Sequence, residues 1–124
     1  MREVRRGTGQ EGCLDIRVEH SGSEIVLVLV GPLDVRSTAP VRDAVYEQVQ
    51  VGGESLSVPV VIDITEVSSV DATALRVLAV ASRQAQRYGV RLVLRGACPA
   101  VRRMLRLTHM IRVVEIEREG VRVS

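Results

Sequence analysis

Residues 60–78, VVIDITEVSSVDATALRVL, constrain the fold more than any other part of the chain, because two periodicities meet within them. Val60, Val61, Ile62 and Ile64 form a short, largely β-branched run around Asp63, which predicts a strand. After a connecting segment at residues 65–70, Asp71 stands where a helix N-cap is wanted. Leu75, Leu78, Ser82 and Ala85 then recur on one helical face, which Val77 and Ala81 widen. Gly89 after Tyr88 supplies a left-handed C-terminal residue, so the helix is predicted over residues 72–88. Such a helix must bury its apolar face against the sheet that its strand joins, and that unit defines an α/β domain.

The same reading extends in both directions. Upstream, Leu14, Ile16 and Val18 alternate with Asp15, Arg17 and Glu19, the period of a half-buried strand, and residues 20–23 supply a turn. Residues 24–31, EIVLVLVG, are almost wholly apolar, as expected of a central strand, and Gly31-Pro32 ends it. Ser37 or Thr38 can cap a first helix, Pro40 fits its first turn, and Val41, Ala44, Val45 and Val49 form its inner face. Gly52 and Gly53 open a loop. Downstream, Val90, Leu92 and Leu94 alternate with Arg91, Val93 and Arg95 in a further strand. Pro99 opens a third helix, with Val101, Met104 and Leu105 inward and Arg102, Arg103 and Arg106 outward. Val113, Val114 and Ile116 suggest a last strand. The expectation is one α/β domain over residues 13–118, a mixed sheet with helices packed against it, in which Leu75, Leu78, Val61 and Val93 share a core. Residues 1–12 combine charge with three glycines and no apolar period, which predicts a flexible leader. Residues 119–124 read as a tail or short terminal strand.

Composition narrows the function classes. The 124 residues suit one domain, and 46% hydrophobic against 26% charged is a globular balance. With no Phe or Trp and only Tyr46 and Tyr88, the core must be aliphatic, and base stacking has little to work with. A net charge of +2 argues against direct nucleic-acid binding. The dense apolar run at residues 25–30 is too short for a membrane span and the Arg-containing N-terminus lacks the apolar stretch that a secretory signal needs, so the expected compartment is the cytoplasm. Cys13 and Cys98 are far apart and outside any CxxC or Cys/His cluster, so they read as reduced thiols and not as metal ligands. His20 and His109 accompany no nucleophile motif and read as surface or loop residues, and no Gly-rich phosphate cradle occurs. Nothing here predicts an enzyme, a metal site or a cofactor. Arg102, Arg103 and Arg106, with Arg95 and Arg112 nearby, could form an anion-attracting edge or simply a solvated helix face.

The segment at residues 60–78 resembles the signature of STAS domains in anti-sigma-factor antagonists, where strand, connection and Asp-Ser-Ser/Thr-Gly-Leu occur in that order. GPLDVRSTAPVRDAV is similar to the same family's strand-end Gly-x-Leu-Asp and first helix, and GVRLVLRGACPAVRRMLRLTHMIRVVEI to its fourth strand, third helix and terminal segment. The resemblance spans roughly residues 13–117. It implies that Thr73 is the phosphorylatable hydroxyl, and that Asp34, Asp71, Thr73 and Ala74 meet a partner. That partner would be an anti-sigma factor with serine/threonine kinase activity, bound by the unmodified domain and released on phosphorylation, with a phosphatase to reset the switch and transcription as the process regulated. Ala72 and Ala74 stand where the family carries Ser and Gly. They leave open a second reading, a STAS docking subunit of a transporter or other regulatory complex that is never phosphorylated. Taken alone, Asp71 reads as a helix cap, Asp34 as a loop-fixing residue and Thr73 as a tolerated first-turn residue that can face solvent beside unpaired amides.

Overall fold

The computed structural model describes residues 2–7, 14–21, 23–54 and 58–117. Among the described residues, six strands form one sheet in the order of the chain: β1 (Arg2–Gly7), β2 (Asp15–His20), β3 (Ile25–Leu33), β4 (Val60–Val70), β5 (Leu92–Arg95) and β6 (Glu115–Ile116). β1, β2 and β3 pair antiparallel, whereas β3 through β6 pair parallel. The three parallel steps are bridged in turn by α1 (Thr38–Glu54), α2 (Ala72–Arg87) and α3 (Pro99–Leu107), with a 3-10 turn before α1 (Val35–Ser37) and another after α3 (Met110–Arg112). Crossovers of one hand that advance in one direction put every helix on the same side of the sheet.

The core results from that arrangement. Leu27, Leu29, Ile62 and Leu94 from the strands meet Val45 and Val49 of α1, Leu75 and Leu78 of α2, and Leu105 of α3 in one buried cluster. Val61 and Val93 are also buried, but with Val26 and Val28 in a separate, smaller cluster made only of strand residues. The expectation that they share a core with Leu75 and Leu78 is therefore corrected: alternation along a strand sends neighbouring side chains to opposite faces. Arg95 lies on the same side as Val93 by that alternation. Its guanidinium bonds Glu24 before β3 and Glu117 after β6, with contacts from 2.8 to 3.3 Å, tying the two flanks of this face together.

Several boundaries differ from those read in the sequence. The predicted flexible leader contains a strand, since Arg2–Gly7 pairs with β2 from Arg2↔His20 to Gly7↔Asp15. Backbone pairing alone satisfies the otherwise open edge of β2, which needs no apolar period. Residues 8–13, including Cys13, and the predicted tail at 119–124 lie outside the described residues. α1 continues through Gly52 and Gly53, where the sequence predicts a loop, because four buried apolar side chains from Val41 to Val49 anchor it and packing overrides propensity. β3 runs past Gly31-Pro32 to Leu33, and β4 runs on through the predicted connecting segment to Val70. α2 matches its predicted span to within one residue, with Tyr88 as C-cap and Gly89 at φ +74°.

Candidate functional site

The extension of β3 and β4 sets up the site. Their register slips twice, between Val28↔Asp63 and Val30↔Glu66, and again between Gly31↔Val67 and Pro32↔Ser69, with β4 carrying the extra residue each time. These are β-bulges, which bend a strand and re-aim the chain beyond the bend. After both slips the strands end level, at Leu33↔Val70. Asp34 and Asp71 are thus the next residues of two adjacent parallel strands. The backbone N–H of Asp71 donates to the Leu33 carbonyl at 3.1 Å and fastens the two ends.

Each aspartate caps the helical segment that it precedes. Asp71 accepts the Ala74 backbone N–H at 2.9 Å, as a short carboxylate at an N-cap should. Asp34 accepts the Arg36 backbone N–H at 3.0 Å, and its own N–H donates to Ser37 Oγ at 3.3 Å, forming a capping box. The Ser37 hydroxyl donates in turn to the Pro32 carbonyl at 2.8 Å. Arg36 also folds back onto Asp34, with Nη2 to Oδ2 at 2.9 Å. That guanidinium, foremost among several causes, holds the Asp34 carboxyl below its ordinary 3.8. Sequence reasoning missed Arg36; an Asp-x-Arg spacing at a helix start is the signal that could have found it.

Thr73 is exposed on the first turn of α2, beside an exposed Ala72. The helix start turns unpaired amides and a positive dipole end toward it, a setting in which an added phosphate does not oppose the helix. Ala74 is buried at 2% exposure, with its methyl in the main core. The position is helical with negative φ, so alanine fits where the family carries glycine, and the methyl points inward, away from the Thr73 surface.

A cleft of about 250 Å³ opens between the end of β4 and the start of α3, lined by Thr65, Val67, Ser69, Val70, Val101 and Met104 among others. It lies beyond the carboxyl ends of parallel strands, where open α/β sheets bind their ligands. Gly96 at its base is held at φ +80° against β4, and a Cβ there would meet Thr65 Oγ1 at 2.1 Å. Cys98 is exposed at the N-cap of α3. His20 Nε2 bonds Gln48 Oε1 at 3.0 Å, which ties β2 to α1, and His109 precedes the second 3-10 turn. Among the described residues no group of three or more His, Cys, Asp or Glu side chains is placed to hold a metal, and no helix is long and apolar enough to cross a membrane.

A sheet with helices on one face thus brings together two capping aspartates at adjacent strand ends and an exposed hydroxyl on the adjoining helix start. The STAS domain family model matches residues 15–120, and the chain belongs to that family. Its fold is shared with an anti-sigma factor antagonist from Mycobacterium paratuberculosis, at TM-score 0.70 and 20% identity over 86% of this chain and 87% of that one. It is also similar to RsbS of Moorella thermoacetica in a variant form, at TM-score 0.61 and 26% identity over 82% and 85% of the two chains. The anti-sigma factor antagonist SpoIIAA of Bacillus, solved in unphosphorylated and phosphorylated forms, aligns in the former at TM-score 0.64 and 17% identity over 85% and 90%. No curated protein sequence gives a significant match.

Proposed function

We propose that this chain is an anti-sigma factor antagonist that works as a partner switch. Unmodified, it binds an anti-sigma factor with serine/threonine kinase activity and so frees the sigma factor held there. Phosphorylation at Thr73 ends the binding, and a phosphatase restores it. The observation that carries this reading is the level ending of β3 and β4, which sets Asp34 and Asp71 side by side with Thr73 exposed on the adjoining helix turn. Asp34, Asp71 and Thr73 then belong to the contact surface, while Ala74 supports it from beneath. A phosphate adds about −1.5 to −2 charges, and within a fitted interface its desolvation and repulsion outweigh several contacts.

Three variants test the switch. Thr73→Ala should bind the partner and escape the kinase, whereas Thr73→Glu should bind more weakly. Asp71→Ala should mainly lose the cap, lowering stability by about 1 kcal/mol. Binding assays, in-vitro phosphorylation and identification of the co-purifying partner give the readout. Phosphate found only on another residue, together with undiminished binding by Thr73→Glu, would leave an unphosphorylated docking subunit as the better reading.

A further inference from the structure

The charges of this chain are segregated along the sequence. Residues 72–114 contain nine arginines and no Asp or Glu, although the whole chain carries 15 acidic residues. Arg91 and Arg95 find acids outside that segment, in Glu115, Glu24 and Glu117, on the strand side of the molecule. Four of those on the helices differ. Arg76 and Arg83 on α2 and Arg103 and Arg106 on α3 are exposed and form no ion pair among the described residues.

The same region exposes apolar side chains. Val80 on α2 is 51% exposed, Leu107 at the end of α3 74% and Ile111 37%. Arg76, Val80 and Arg83 succeed one another at i, i+4 and i+7, so they form a single stripe along α2. Beside that stripe is a recess of about 270 Å³, with Ala79, Val80, Met110 and Val113 among its lining and Arg76, Arg83 and His109 contributing its basic groups. His109, directly after the α3 C-cap Thr108, has φ +62°, a left-handed helix ending that turns the chain beside the recess.

We propose that this recess between α2 and the turn after α3 is a second docking surface, which takes an acidic protein segment carrying one apolar anchor side chain. Charge complementarity selects an acidic occupant. Every basic side chain in the sequence apart from the histidines is arginine, the residue whose planar fork pairs bidentately with carboxylates. Concavity selects a peptide, because a recess flanked by cations fits one inserted side chain between carboxylates, whereas a lipid surface is served by a flat face and nucleic acid by stacking groups that this surface lacks. The site goes beyond the switch at Thr73 and needs no kinase.

The test uses a short fluorescein-labelled peptide with one leucine flanked by glutamates, its glutamine counterpart, phosphatidylglycerol vesicles and polyuridine RNA. The acidic peptide should bind, lose affinity as salt rises, and shift the methyl resonances of Val80, Met110 and Val113. Arg76→Glu, Arg83→Glu and Val80→Asp should each weaken it about tenfold, a scale set by contact charges at protein interfaces. Arg42→Glu, on α1, should leave binding within about twofold, since a charge away from the contact is screened. Unchanged melting temperatures would show that the variants fold. Binding of vesicles or RNA without the peptide, equal binding of the glutamine peptide, or an equal loss in Arg42→Glu would each overturn the proposal.

Discussion

Asp34 and Asp71 perform the same capping task with different company. Asp71 spends its carboxylate on one backbone amide, whereas Asp34 also holds the Arg36 guanidinium, so any cation from a partner must first displace an internal one. The lowered pKa of Asp34 fixes the sign of its pH dependence. Stability from this group is present above its unfolded value and is lost as pH falls through the lower folded value. Arg36→Gln should raise the titration midpoint of the Asp34 carboxyl carbon toward its ordinary 3.8, as NMR can track. A midpoint that did not move would assign the shift to the backbone N–H of residue 36, which the variant keeps. Of the two aspartates only the helix cap at Asp71 is readable from the sequence. The role of Asp34 depends on Arg36 and Ser37 folding back on it, which no periodicity reports.

At the level of the element, α2 serves two surfaces at once. Its inner face is packed through Leu75, Leu78, Ala81 and Ala85, and its buried Ser82 hydroxyl donates to the Val113 carbonyl at 3.1 Å, which fixes the turn before β6. That packing holds the outer stripe and Thr73 at a set angle to the sheet. Leu78→Ala should therefore cost about 2–5 kcal/mol in urea unfolding, the range for a buried leucine, and a loss near zero would show that the core closes without it. α2 is legible because its apolar spacing, cap and terminal glycine agree. The second half of β4 is not, because Thr65, Glu66, Ser68 and Ser69 are exposed and two bulges break the alternation that would announce a strand. Ala74 eludes the sequence for a related reason, since its family counterpart is known by its neighbours while burial belongs to the helix phase.

Across the whole molecule, the sequential order of six strands with all three helices on one side accounts for both buried clusters. The α/β class can be read from order and spacing, because each parallel step is a local strand-helix-strand unit, whereas of the candidate site that reading gives only the Asp71 cap, and Thr73 and Asp34 enter through the family resemblance. The features that escape such a reading depend on pairing between distant segments: β1 against β2, the division of Val61 from Leu75 into opposite faces, and Arg95 linking Glu24 to Glu117. The double slip of β4 against β3 also has a metric consequence. Ser68 occupies the second bulge, so its chemistry is dispensable while its presence is not. Ser68→Ala should melt and bind as the parent does. Deleting Ser68 should draw Asp71 back by about one strand residue, roughly 3.3 Å, and put α2 out of phase with its seat on the sheet, lowering both melting temperature and partner affinity. β4 acts as a measuring rod: the number of its residues, more than their identity, determines how far beyond the sheet Thr73 is held out.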